Sequence, residues 1–134
     1  MAIFEYMIET NLKKISRRLK AIGDPTRIKL LYLLSIRPAC VCELTEALGL
    51  AQPTISRHLR QLEDVGFVTG NRERNWTIYE LAPMEECCRQ LLEIVVSRIR
   101  NDLEIQTLKG RFLALDRAEI LKQRTNKQRV MASK

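Results

Sequence analysis

Two cysteines separated by a single residue, Cys40 and Cys42, stand directly ahead of a helical segment rich in groups that read polynucleotides. The stretch from Ala39 to Leu62 is ACVCELTEALGLAQPTISRHLRQL, and its second half carries Gln52, Thr54, Ser56, Arg57, His58 and Arg60. Thiolates are soft ligands that select zinc, cadmium, cuprous copper and trivalent arsenic or antimony. At the start of a helix the dipole lowers the thiol pKa and raises the thiolate fraction. Residues two apart on a continuous helix diverge by about 200°. Both sulfurs therefore grip one atom only if Cys40 lies at or before the helix cap, or if the first turn melts. Capturing a ligand would then distort the helix that supports the one after it.

The chain has four cysteines and a single histidine. Cys87 and Cys88 are adjacent and Cys40 and Cys42 nearly so, spacings at which a bridge is expected to be strained, so the set does not read as a disulfide framework. It suits a reducing compartment and a metal, metalloid or redox role. Cys88 shares a stripe with Leu92 and Val95, where a cysteine also serves as a small buried apolar residue. Zinc coordination of the usual kind is disfavoured, because the one histidine, His58, lies in the polynucleotide-reading segment and no C-x-x-C pair exists. Catalysis is excluded on the same reading: there is no phosphate-cradling glycine loop, no nucleophile–base set and no paired carboxylates.

These groups need elements to position them. Phe4, Ile8, Leu12, Ile15 and Leu19 recur at helical spacing, predicting an amphipathic helix over residues 3–22 that ends at Gly23. Asp24 caps the next helix and Pro25 takes its first position, where a missing donor costs nothing. That helix, to Ile36, is apolar on too broad a face for the surface and marks the hydrophobic centre. A short helix with Val41, Leu44 and Leu48 inward stops at Gly49. The segment Gln52–Val65 follows, with Ile55, Leu59 and Leu62 inward and Gly66 as terminator. Helix, tight glycine turn and helix form the supersecondary pattern of a DNA-binding module. Residues 67–81 then alternate, break at GNRERN, and resume as WTIYEL, predicting a β-hairpin wing with Arg72 and Arg74 at its loop tip. Pro83 opens a long helix carrying Cys88, Leu92, Val95, Ile99 and Leu103, and Gly110 is expected to break it before Phe112–Leu121. Residues 122–134 read as a basic tail.

The outward groups of the second helix match known contacts: arginine forks onto guanine, glutamine onto adenine, and hydroxyls bond phosphate or base edges. Lys and Arg outnumber Asp and Glu by 23 to 16, a formal charge of +7 that favours a polyanionic partner. No segment approaches the ~20 apolar residues of a membrane span, and the N-terminus lacks a signal-peptide core, so a cytoplasmic protein is expected. The 134 residues fit one domain: a mainly α fold with a small β-hairpin, a winged helix-turn-helix over 25–81, and residues 3–22 and 83–121 as dimerisation helices. The unpartnered stripe of the long helix predicts a homodimer.

The runs GDPTRIKLLYLL, CVCEL, QPTISRHLRQLEDVGFV and IYEL together resemble the ArsR/SmtB family of winged-helix repressors over roughly residues 15–85. CVCEL resembles the arsenic- and antimony-responsive branch. The resemblance implies a homodimer on double-stranded operator DNA, with no cofactor required and Cys40 and Cys42 as ligands to an inducer, arsenite or antimonite. That branch often has a third thiol where Thr45 stands here, so a third ligand would come from Cys87 or Cys88. With two thiols alone, a methylated trivalent arsenical becomes a candidate inducer. Where relatives place a capping serine before the reading helix, this chain has Ala51. Two other readings compete: a regulator whose cysteines sense oxidants or persulfide, and an architectural module whose cysteines are incidental.

Overall fold

The computed structural model describes residues 10–115, Arg117 and Ile120. Among them run α1 (Asn11–Ile22), α2 (Pro25–Ile36), β1 (Ala39–Cys40), α3 (Val41–Leu48), α4 (Gln52–Asp64), β2 (Val68–Glu73), β3 (Trp76–Leu81), α5 (Glu86–Ile99) and α6 (Leu103–Leu113). The first part of the helix expected over 3–22, and the basic tail, lie outside the described residues.

Local chemistry sets the helix starts. Thr10 Oγ1 accepts from the Lys13 N–H at 3.3 Å and Asp24 Oδ2 from the Arg27 N–H at 3.0 Å, each covering a donor the first turn leaves free. Gly49, at φ 68°, ends α3 in the left-handed conformation that glycine adopts without a Cβ penalty. Ala51 precedes α4 without any side-chain cap, so the reading helix begins one hydrogen bond short. The helix-turn-helix is therefore α3, the turn 49–51, and α4.

Helix α2 supplies the centre of the core. Leu30, Leu31 and Leu33 are fully buried, and Leu44, Ile55, Leu59, Leu62 and Phe67 close around them. Each such side chain contributes about 1.5–3 kcal/mol relative to exposure. Phe112 and Leu108 of α6 and Cys88 and Leu92 of α5 complete the same cluster.

The sheet has three strands rather than a bare hairpin, in the order β1-β3-β2. The two-residue β1 pairs antiparallel with β3, Ala39 opposite Tyr79 and Cys40 opposite Ile78. In the hairpin Arg72 pairs with Thr77 and Glu73 with Trp76, so the loop is only Arg74-Asn75. The expectation of both arginines at a loop tip is thus corrected: Arg72 sits within the strand, and Arg74 alone turns, at φ 56°. Gly70 is needed where it stands, because a Cβ there would lie 2.8 Å from the Tyr79 ring.

Two further boundaries differ from the sequence pattern. Helix α5 starts at Glu86, not Pro83, because the Ala82 and Met84 N–H groups bond the Phe67 and Gly66 carbonyls at 2.9 and 3.0 Å. Those bonds keep 82–84 off the helix. The break expected at Gly110 falls instead between Ile99 and Leu103, where Asp102 precedes α6 with no side-chain cap bond and donates its N–H to the Ile99 carbonyl at 2.9 Å. Gly110 lies inside α6 with open space around it.

Candidate thiol site and nucleic-acid interface

Cys40 is at once the last residue of β1 and the N-cap of α3, with φ −79° and ψ 161°. This extended backbone removes the 200° divergence that a continuous helix would impose, so its sulfur and that of Cys42, on the first turn, converge. They are joined in a disulfide with the Cα atoms 5.3 Å apart. The spacing argued against a bridge between these cysteines, and the structure has one. Off the helix, Cys40 brings the pair within the 4.4–6.8 Å typical of bridged Cα atoms.

One carboxylate holds the pair in place. The Glu43 N–H donates to Cys40 Sγ at 3.3 Å, and the Cys40 N–H donates to Glu43 Oε1 at 3.1 Å. This is a capping box with cysteine in the serine position. The Glu43 side chain is 3% exposed and ionically paired twice, Oε2 with Arg37 Nη1 at 2.7 Å and Oε1 with Arg117 Nε at 3.0 Å. Arg37 also lies over the Phe112 ring, 4.0 Å from its centroid, and Arg117 over the Trp76 ring at 4.8 Å. Sequence reading missed Glu43, Arg37, Trp76 and Arg117. The spacing Cys40-x-x-Glu43 carried a legible cap signal; the two arginines come from distant segments and gave none.

Cys40 and Cys42 are 2% and 8% exposed. They pack in a small cluster with Ile120, against Trp76, Ile78 and Leu115, apart from the main core. On the other side they border a cleft of about 300 Å³ whose walls include Gln52, Ser56, Arg72, Asn75, Trp76 and Tyr79. The cleft thus joins the sulfurs to the first turn of the reading helix and to the wing.

Cys87 and Cys88 are not brought to this site. Cys88 is fully buried in the main core, its Sγ donating to the Val65 carbonyl at 3.7 Å, and Cys87 is half-buried on α5. Thr45, where a third thiol would stand, is half-buried, with its Oγ1 shielded and unpartnered. Among the described residues no three His, Cys, Asp or Glu side chains converge to hold a metal.

The polar groups of α4 divide between two faces. Gln52, Arg57 and Arg60 are exposed, Thr54 and Ser56 half-buried along the same outer side, and Arg72 and Arg74 exposed on the wing. His58 instead turns toward the start of α2. Its Nδ1 lies 3.2 Å from Arg27 Nη1 and 4.0 Å from Asp24 Oδ2. The guanidinium of Arg27 also bonds Gln61 and the Ala21 carbonyl. Burial holds the His58 pKa below its ordinary value, with the Arg27 and Arg57 charges acting alongside and Asp24 against. At the far end of α4, Glu63 Oε2 accepts the Gly70 N–H at 2.8 Å and fixes the wing's base to the reading helix. Among the described residues no helix is long and apolar enough to cross a membrane.

Comparison with known proteins bears on this arrangement. The family described as "bacterial regulatory protein, arsR family" matches residues 24–69, the stretch from the cap of α2 into the wing. The arsenic resistance transcriptional regulator ArsR1 of Pseudomonas putida is 45% identical over 65 residues, and the match covers 48% of this chain and 51% of that protein, about half its length. ArsR2 of the same organism is 33% identical over 99 residues, covering 69% of this chain and 86% of that protein. Among solved structures, the homodimeric winged helix-turn-helix DNA-binding domain of Mb0332 from Mycobacterium bovis superposes with a TM-score of 0.58. It is 25% identical, with 72% of this chain and 92% of that one covered. The chain belongs to the ArsR family and is a winged-helix DNA-binding transcriptional regulator, not an enzyme.

Proposed function

We propose that the protein is a homodimeric repressor that leaves its operator when Cys40 and Cys42, as thiolates, bind trivalent arsenic or antimony. The observation that carries this reading is the convergence of both sulfurs at the α3 cap, on the wall of a cleft shared with Gln52, Ser56 and Arg72. Arsenous acid reacting with the two thiols forms two S–As bonds, releases two waters and keeps one hydroxyl. An organic substituent would take the place of that hydroxyl in a methylated arsenical. Arsenic-resistance regulators among the relatives support the choice of element.

Two reading helices related by a two-fold axis would enter major grooves about 34 Å apart. Gln52, Thr54, Ser56, Arg57 and Arg60 serve base edges and phosphates, and Arg72 and Arg74 the neighbouring backbone or minor groove. His58, tied to Arg27, positions the helix more than it reads DNA. Release requires the ligand to bind the DNA-incompetent form more tightly, by a coupling of about 1–3 kcal/mol. A trivalent atom held between the sulfurs must part them and so change the cap that starts α3.

Fluorescence anisotropy of a labelled duplex from upstream of the protein's own gene, under reductant, tests this directly. Arsenite at one equivalent per chain should release the wild type and leave the Cys40→Ser/Cys42→Ser protein bound. Release of both proteins would overturn the assignment of the thiols, and release of neither would overturn the metalloid reading.

The disulfide itself favours a second reading, in which an oxidant is the signal. Peroxide would take two electrons and two protons from the pair, forming the S–S bond and two waters. DNA binding lost on oxidation and restored by reductant, with no response to arsenite, would select it.

A further inference from the structure

We propose that the Glu43 carboxylate is the positioning residue that couples the thiol site to the wing, with Arg117 and Trp76 as its outward arm. The proposal rests on Cys40 and Cys42 being the responsive groups, and not on what they bind.

Glu43 holds Cys40 twice, by its backbone N–H on the sulfur and by its carboxylate on the cysteine N–H. A sulfur that moves to bond a ligand loses the first of these and strains the second. The same oxygen, Oε1, accepts from Arg117 Nε at 3.0 Å. The cysteine N–H and the Arg117 guanidinium thus share one acceptor, and a shift in either changes the other. Leaving a carboxylate this deeply buried without a partner is costly, so the Glu43 side chain and its two arginines are held as one unit.

Arg117 carries the shift outward. Its guanidinium lies over the ring of Trp76, the first residue of β3, which pairs with Glu73 at the hairpin turn. Trp76 also packs on the cysteine cluster with Ile78 and Leu115. Cys40 meets β3 a second time through its pairing with Ile78. Backbone pairing and the Glu43–Arg117–Trp76 arm therefore converge on one wing strand. The other oxygen of Glu43 is held by Arg37, which donates from Nη2 to the Phe112 carbonyl at 3.3 Å. That contact anchors the carboxylate to α6, so the displacement goes to the wing.

Trp76 is the only tryptophan in the chain and reports on the arm directly. The experiment follows its emission in the full chain as the disulfide is reduced and then as phenylarsine oxide, a probe that bridges two thiols, is added. DNA affinity is measured in each state. The wild type should change emission with thiol state. Arg117→Ala should bind one phenylarsine per chain yet lose that response, and the difference in DNA affinity between thiol states should shrink at least ~5-fold, the low end of ordinary coupling. Arg117→Lys, which keeps the charge on Glu43 without the planar stack, should fall between. Should Arg117→Ala melt below the assay temperature, Arg117→Lys carries the test in the same terms. Wild-type coupling in the variants, or a wild-type emission indifferent to thiol state, overturns the proposal. An emission response in a wild type that keeps its DNA under arsenite would leave the coupling standing and overturn the metalloid function instead.

Discussion

His58 shows how one side chain on a reading helix is diverted to another task. Three residues after Ile55 and four before Leu62, it flanks the inward row rather than standing out with Arg57 and Arg60, and its ring meets Arg27 and Asp24 at the start of α2. Burial keeps its folded-state pKa below the ordinary histidine value, while the unfolded chain takes up the proton near pH 6.5. Between the two pKa values the unfolded state binds more protons than the folded one. Stability therefore rises with pH across that window and falls on acidification below about pH 6.5. Asp24 adds a separate loss at lower pH: burial opposes its charge, but the Arg27 N–H and guanidinium and His58 hold its pKa below the usual carboxylate range. The urea midpoint should drop between pH 7.5 and 5.5 in the wild type and stay level in His58→Gln. An equal drop in both proteins would show that another group titrates.

At the scale of elements, the pattern of apolar residues marked the inward faces of α2 to α4 but misjudged α5 and continuity. The stripe expected to lack a partner buries Cys88 and Leu92 in the chain's own core, with Val95 and Ile99 packed against it. The stripe from Cys88 to Leu103 runs in helical register, yet the helix stops at Ile99 and restarts at Leu103. Nothing in a periodicity distinguishes one helix from two that follow the same core. Gly110 offers a break, but its Cβ position meets open space and the surrounding turns are helical. Glycine permits a break without imposing one, and here the core contacts of Leu108 and Phe112 decide. Gly110→Ala should therefore stabilise the fold by about 0.5–1 kcal/mol, seen as a Tm raised by a few degrees. A lowered Tm would mean that the glycine is needed for something outside α6. The helix-turn-helix was legible because caps, glycines and inward leucines all lie within a few residues. Strand β1 was not, since two residues carry no period and pair only because β3 passes beside them. The Cys40–Cys42 convergence depended on that pairing and was open to sequence only as a condition on where the cap falls.

For the whole molecule, the question is what covers the apolar side chains that one chain leaves in water. Leu12 and Leu19 on α1, Ile94 on α5 and Leu103 and Leu113 on α6 are each at least half exposed. They lie on the helices that flank the winged core, where the proposed dimer axis would run. Covering one such residue contributes roughly 1.5–3 kcal/mol, and a glutamate placed in the contact leaves a charge buried without a partner. Ile94→Glu should then sediment as a monomer and bind a two-half-site operator at least ~10²-fold more weakly, because the second half-site no longer benefits from the first. The same variant decides how the thiol site is built. Within one chain Cys40 and Cys42 converge, while Cys88 is buried in the separate main core. A site made by one chain predicts that the Ile94→Glu monomer, reduced, still takes up one phenylarsine equivalent at wild-type affinity. Uptake of the two-thiol probe with loss of arsenite affinity would assign the third sulfur to Cys87 or Cys88 of the partner subunit.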